Sequence, residues 1–223
     1  MHEQSHDHDF HDQAEPHAGV RPDANDTVAY YQLMEIAVRE ILIEKGLLSA
    51  EAVRSEIEKM DARSPARGAQ VVARAWIDPA FKARLLELGN DALEGLGLER
   101  GSYKLVVVEN TSAVHNLVVC TLCSCYPRWL LGLPPDWYKS RNYRSRAVRE
   151  PRAVLREFGL NLRDDITVRV HDSTADMRYL VLPARPEGTE GWSEEQLATI
   201  VTRDCMIGVA VPKTRHRGNE QTE

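Results

Sequence analysis

The sequence predicts an α+β protein, in which a helical arm leads into a domain of two sheets with helices on both outer faces. Three observations carry that expectation. From Asp26 to about Gly97, apolar residues recur at three- and four-residue steps, the spacing of one helix face. From Tyr103 onward, apolar residues come instead in short runs rich in β-branched types, the composition of strands. Helical stretches are interspersed among those runs as far as Pro212.

Met1 to about Asn25 is a polar tract in which His2, His6, His8, His11 and His17 mix with aspartate and glutamate. Such a tract cannot bury enough apolar surface to order itself, so residues 1–25 read as a disordered tail. Metal scavenging by its histidines is the lesser alternative. Asp26 stands where an N-cap is needed for a first helix carrying Val28, Tyr31, Met34, Val38, Ile41 and Leu42, which Gly46 ends. Ser49 is placed to cap a second, with Ala52, Val53, Ile57 and Met60 on one face. Pro65 to Trp76 makes a short third helix. Asp78-Pro79 supplies a cap and a first helical residue for a fourth, closing near Gly95-Leu96-Gly97. These faces are broad, apolar and poor in aromatics, better suited to lying on a partner than to closing a bundle. Residues 26–98 therefore read as a helical region suited to packing on a partner.

In residues 99–212, strands are expected at Tyr103–Glu109, Val114–Val119, Ile166–Val170, Arg178–Leu182 and Met206–Val211. A helix is expected from Tyr143 to Phe158, stopping at Gly159, and another from its cap Ser193 to about Thr202. The second strand delivers Cys120 at its C-terminal end, where the chain must turn. Residues 213–223 are charged and read as a disordered tail.

Composition bounds the function. At 223 residues and 43% hydrophobic, the chain can bury a sizeable core. A net charge of −6 argues against nucleic acid as a partner, and no apolar run has the length to cross a bilayer. The start, Met1 to Asp9, is acidic and His-rich rather than basic then apolar, so it does not read as a secretory signal. Clustered cysteines in such a chain point to metal work in a reducing cytoplasm, not to a disulfide scaffold.

The cluster is Val119-Cys120-Thr121-Leu122-Cys123-Ser124-Cys125, which holds three of the four cysteines. Their sulfurs converge on one ion only if the backbone folds tightly around it, which also brings the peptide nitrogens of Ser124 and Cys125 close. Thiolates suit transition metals rather than magnesium or calcium. Spacing alone leaves rivals open. Cys120-x-x-Cys123 has the spacing of a redox pair. A structural zinc site or an iron–sulfur cluster normally wants four ligands, and Cys205 stands alone.

The flanking blocks carry a resemblance. Val106-Val107-Val108-Glu109-Asn110-Thr111, His115-Asn116-Leu117-Val118-Val119, the cysteine cluster, Leu131-Gly132-Leu133-Pro134-Pro135-Asp136-Trp137-Tyr138-Lys139, Tyr143-Arg144-Ser145-Arg146, Arg149-Glu150-Pro151-Arg152, Arg185-Pro186-Glu187-Gly188-Thr189-Glu190-Gly191 and Val201-Thr202-Arg203-Asp204 together resemble the metal-bearing alpha subunit of nitrile hydratase. The homologous gamma subunit of thiocyanate hydrolase has nearly the same blocks. The resemblance implies a four-layered α-β-β-α metal-binding domain over residues 99–212 and an arm over 26–98 that embraces a beta-type partner subunit. It implies metal ligation by Cys120, Cys123 and Cys125 and by the backbone nitrogens of Ser124 and Cys125. In the family the residue matching Cys120 is the unmodified axial ligand, while those matching Cys123 and Cys125 are oxidised to sulfinic and sulfenic acid. Arginines from the partner subunit bind these oxidised sulfurs. Cys123, Ser124 and Cys125 are thus the expected catalytic residues, with metal-activated water or the Cys125 sulfenate as nucleophile.

The physical logic is that a nitrile or thiocyanate carbon is a poor electrophile. A Lewis acid polarises the bond and lowers the pKa of water. Anionic sulfur and amide donors then speed ligand exchange at an otherwise inert trivalent ion. Thr121 and Tyr126 resemble cobalt-type members, so Co(III), one ion per subunit, is expected ahead of Fe(III). Arg128 and Trp129 are the expected substrate pocket. Nitrile hydratases usually carry tryptophan where Arg128 stands, and thiocyanate hydrolases arginine. The Leu131–Lys139 block favours a nitrile, whereas Asp204-Cys205-Met206 and the His-rich start lean toward thiocyanate. A nitrile hydratase is expected first, a thiocyanate hydrolase second, and a cobalt or zinc carrier is the non-enzyme alternative. Cys205 and His115 are expected as core residues, and Asp172 as an ion-pair partner of Arg178.

Overall fold

The computed structural model describes residues 30–98 and 101–214. The expected tails, the Asp26 cap and Val28 lie outside those residues, apart from Lys213 and Thr214.

Helix α1 (Tyr30–Glu44) ends where Gly46 turns left-handed at φ 65°. Helix α2 (Ala50–Asp61) starts as expected, with the Ser49 hydroxyl accepting the Ala52 N–H at 3.0 Å. Neither helix buries a residue. Helix α3 (Ala66–Ile77) is different: Gly68, Ala69, Val71, Val72, Ala73 and Ala75 are all buried. Gly68 lets the helix pack closely there, because a Cβ would stand 2.6 Å from Leu131 Cδ2 and 2.7 Å from Met206 Sδ, and both side chains would have to shift.

Helix α4 (Pro79–Leu88) is capped by Asp78, which accepts the Phe81 N–H at 2.9 Å. It stops earlier than expected. Gly89, at φ 56°, lets the backbone pass so close to the following strand that a Cβ would lie 2.0 Å from Leu105 O. A short α5 (Asn90–Leu93) and a 3-10 turn (Glu94–Leu96) complete the stretch.

Strands β1 (Lys104–Glu109) and β2 (Val114–Val119) fall where the β-branched runs put them. Two short helices, α6 (Arg128–Leu131) and α7 (Asp136–Lys139), follow the cysteines. The expected helix from Tyr143 to Phe158 is two, α8 (Arg141–Arg149) and α9 (Pro151–Glu157). The Pro151 ring drives Glu150 out of the helical region, to φ −141° and ψ 54°.

Strands β3 (Thr167–Asp172) and β4 (Met177–Leu182) come next, then α10 (Glu194–Ala198), opened by a Ser193/Gln196 capping box. The expected last strand is absent. Its place is taken by α11 (Arg203–Ile207), capped by Thr202 and ended by Gly208 at φ 96°. The Val209 N–H bonds back to Asp204 O at 3.0 Å, so this apolar run closes on itself instead of joining a ladder.

Strand β1 pairs in parallel with β4, and β2 in parallel with β3, giving two separate two-stranded sheets. The sheets face each other, β2 touching both β1 and β4. Helix α4 lies on β1, while α8 and α9 lie on β2 and β3. The layers run α-β-β-α, so the expected class holds. The core between them is continuous, with Leu85, Leu117, Leu131, Tyr143, Leu180 and Met206 at 1% exposure or less. No helix among the described residues is long and apolar enough to cross a membrane.

Candidate metal centre

Strand β2 and its partner β3 end level with each other, Val119 opposite Asp172, and the chain leaves β2 directly into the cysteine loop. Asp172 then holds the first turn. It accepts the Thr121 N–H at 2.9 Å and the Thr121 hydroxyl at 2.6 Å. At the far end, the buried Tyr138 hydroxyl donates to Cys125 O at 2.9 Å.

Between these points the sulfurs converge. Cys120 Sγ and Cys123 Sγ are 3.4 Å apart, and Cys123 Sγ and Cys125 Sγ 3.1 Å. All three lie within 4.8 Å of one another, and the Cys123 N–H points at Cys120 Sγ at 3.3 Å. Two thiolates at right angles on one ion, with bonds of about 2.3 Å, stand about 3.3 Å apart. The donor set therefore fits a thiophilic transition metal. Cys120 is buried, Cys125 partly buried and Cys123 exposed. Burial pushes the Cys125 thiol up to about 12, while its hydrogen bond to Cys123 holds that thiol below the ordinary value.

Beside the sulfurs lies a cavity of about 380 Å³. Cys123, Ser124, Cys125, Arg128 and Trp129 all line it, as do Arg63, Tyr103, Tyr126 and Arg178. The expected ligand residues and the expected pocket residues are thus brought together. Arg128 is exposed and Trp129 is 6% exposed.

Arg178 is the residue that sequence reasoning misplaced. It does not pair with Asp172. Its guanidinium donates to the carbonyls of Thr174, Ala175 and Met177 and stacks 4.1 Å over the Tyr103 ring. At 7% exposure it carries a buried charge into this cavity, where it lowers the thiol pKa of Cys125 against the larger effect of burial. Its Nε, the Tyr126 hydroxyl and Trp129 Nε1 are buried donors with no acceptor in the described residues. Such groups call for an acceptor beyond those the described residues supply. No local pattern points to Arg178, because only the β1–β4 pairing, Leu105 opposite Arg178, sets it beside Tyr103.

Other expectations resolve simply. His115 is a satisfied core residue, its Nε2 2.7 Å from Gly208 O. Burial holds its pKa below the usual value. Cys205 sits buried in α11, 3.1 Å from the Thr202 hydroxyl and outside the sulfur cluster. Arg146 pairs with Glu150 and Glu157 within the chain. Arg185 ties down its own loop through Thr189 and reaches Trp76 O.

Comparison with known proteins agrees with this geometry. The family model described as "Nitrile hydratase, alpha chain" matches residues 29–210. The low-molecular weight cobalt-containing nitrile hydratase subunit alpha of Rhodococcus rhodochrous is 50% identical, over 89% of this chain and 96% of its own. The thiocyanate hydrolase subunit gamma of Thiobacillus thioparus is 48% identical, over 83% of this chain and 82% of its own. A double mutant of the Fe-type nitrile hydratase from Comamonas testosteroni Ni1 superposes with a TM-score of 0.75 at 44% identity, covering 83% of this chain and 92% of that one. With the family model spanning both sheets and the sulfur loop, this chain belongs to the nitrile hydratase alpha-chain family.

Proposed function

We propose that this chain is the metal-bearing catalytic subunit of a nitrile hydratase, converting a nitrile to its amide at a non-corrin cobalt(III) centre, one ion per chain. The observation that carries the proposal is the convergence of the Cys120, Cys123 and Cys125 sulfurs beside a cavity lined by arginine and tryptophan. The ion would be held by those sulfurs and by the backbone nitrogens of Ser124 and Cys125, with Cys123 as sulfinic and Cys125 as sulfenic acid. Bound there, cobalt supplies Lewis acidity toward an unreactive carbon–nitrogen triple bond and toward water. Iron is the lesser alternative, since a solved relative is Fe-type.

The chain's own side chains do the rest. Arg178 fixes a positive charge near Cys125 and favours anionic oxygen on that sulfur. An oxygen carried by Cys125 supplies a base or nucleophile at the substrate carbon. Trp129 and Tyr103 form the apolar wall that packs the hydrocarbon part of a nitrile and excludes water. Arg128, at the exposed rim, hydrogen-bonds the polar groups of a large nitrile. Cys123 is exposed, and anionic oxygens on it require charged donors. A beta-type partner subunit supplies these as arginines and covers this face, and the relatives are themselves named as subunits. The exposed Tyr31, Met34, Val38 and Ile41 of α1 grip that partner. The assembly works in the cytoplasm on a small molecule.

A second reading, the gamma subunit of a thiocyanate hydrolase forming carbonyl sulfide and ammonia, is favoured by the Arg128 guanidinium in the cavity lining. The test is production with the partner subunits in cobalt medium, followed by assay of acrylonitrile and thiocyanate. Amide from acrylonitrile supports the first reading and carbonyl sulfide the second. Turnover of neither, with exchangeable metal on unmodified thiols, overturns both in favour of a metal carrier.

A further inference from the structure

The loop bearing the three sulfurs is fastened at both ends by side chains of other elements. At its start, Asp172 takes both hydrogen-bonding groups of Thr121, at 2.9 and 2.6 Å. The parallel ladder puts it there. Val119 opposite Asp172 is the last pair, and the Ser173 N–H bonds Val119 O at 2.7 Å, so β3 ends beside the first residues of the loop. At its end, Tyr138 of α7, fully buried, gives its hydroxyl to Cys125 O at 2.9 Å.

We infer that Asp172 and Tyr138 are positioning residues for the metal, acting through Thr121 and Cys125 to set the spacing of the three sulfurs. The inference rests on the metal-centre reading above. A loop of this length has many ways to turn, and every ordered residue costs backbone entropy. That cost is taken out of the metal's binding free energy unless the fold imposes the turn. Asp172 is suited to impose it, because its carboxylate makes two short charge-assisted bonds to one residue and so fixes both backbone and side chain. Tyr138 fixes the other end from within packed aromatic surroundings, its ring 5.2 Å from Tyr126 and 5.7 Å from Tyr143. Asp172 itself is exposed, so its loss leaves no buried group unpaired and costs the fold little. Fold stability and metal affinity are therefore separable at this site.

The test uses the chain assembled with its partner subunits, cobalt(II) alone as the probe, and a coloured chelator as competitor without oxygen. Asp172→Ala and Tyr138→Phe each delete one fastening, and Thr121→Val removes the hydroxyl bond of the first while keeping its backbone bond. Each is expected to weaken cobalt affinity about ten- to a hundred-fold, the usual effect of losing a group that orients a ligand, and to shift the sulfur-to-cobalt charge-transfer band. Tyr143→Phe is the matched control. Its hydroxyl is equally buried, but its acceptor is Val118 O inside β2, at 2.6 Å. That variant is expected to lower the unfolding midpoint while leaving affinity and band unchanged. Wild-type affinity and band in both Asp172→Ala and Tyr138→Phe would overturn the inference, as would an equal loss in Tyr143→Phe. If the unsubstituted protein fails to hold cobalt, the metal reading itself falls and the inference with it.

Discussion

Replacing Arg128 by tryptophan separates the two substrate readings. Arg128 opens α6 at the wall of the 380 Å³ cavity, next to the buried Trp129, and its side chain is exposed. A hydrogen bond to a charged group contributes about 1.5–3 kcal/mol. Exposure to water puts this one at the lower end, so its loss costs about ten-fold in kcat/KM for an anionic or strongly polar substrate. The indole adds apolar wall. If a small nitrile buries about 40 Å² more against it, at about 25 cal/mol per Å² it gains about 1 kcal/mol, or roughly five-fold. The preference for acrylonitrile over thiocyanate should therefore move about fifty-fold in Arg128→Trp, the product of those two factors. Cobalt content should stay constant, because neither loop fastening involves this side chain. The assay is steady-state kcat/KM for thiocyanate, a bulky polar nitrile and acrylonitrile. Unchanged relative efficiencies for all three would refute the reasoning and make Arg128 a structural residue.

Replacing Cys120, Cys123 or Cys125 by serine should abolish tight cobalt binding and turnover, since a neutral hydroxyl does not replace a thiolate; Cys205→Ala should leave metal content unchanged, as elemental analysis will show. Arg178→Met should lower kcat more than cobalt content, because it removes a buried cation beside Cys125 and not a ligand. His115 is held below its usual pKa by burial, so well above about pH 6.5 it is neutral in both folded and unfolded chains and contributes no pH dependence. As pH falls below that value the unfolded chain takes up a proton first, and stability should drop by up to about 1.4 kcal/mol per pH unit until the folded pKa is reached. Urea midpoints between pH 7 and 5 should show a shallower decline in His115→Gln than in the unsubstituted chain. Gly208→Ala should cost more than about 1 kcal/mol, because φ is positive and a Cβ would sit 2.0 Å from Asn116 O.

Local chemistry made much of this fold legible. Ser49, Asp78 and Ser193 cap helices as their residue types promise, and the β-branched runs become strands to within a residue or so at most ends. The break at Glu150 was signalled by Pro151, and the break at Gly89 by the glycine itself, but period alone ran through both. The run Met206–Val211 misled because Met206, Ile207 and Val209 are all buried, and a short continuous apolar run hides whether a stretch is helix or strand. Thr202 as cap and Gly208 as stop were the signals that decided it. At the site, the sulfur loop could be read because its residues are contiguous. Arg178, Asp172 and Tyr138 could not, since parallel pairing brings Arg178 to the cavity and Asp172 to the loop, and Tyr138 reaches Cys125 only through the packing of α7.

The most direct test of the central claim, that three sulfurs of this chain hold one inert oxidised-sulfur metal centre, is combined elemental analysis and peptide mass spectrometry of the chain purified with its partner subunits from cobalt medium. The account predicts one non-exchangeable cobalt per chain, with two oxygens added on Cys123, one on Cys125 and none on Cys120 or Cys205. Exchangeable zinc or cobalt on unmodified cysteines, in protein that turns over neither acrylonitrile nor thiocyanate, would contradict it.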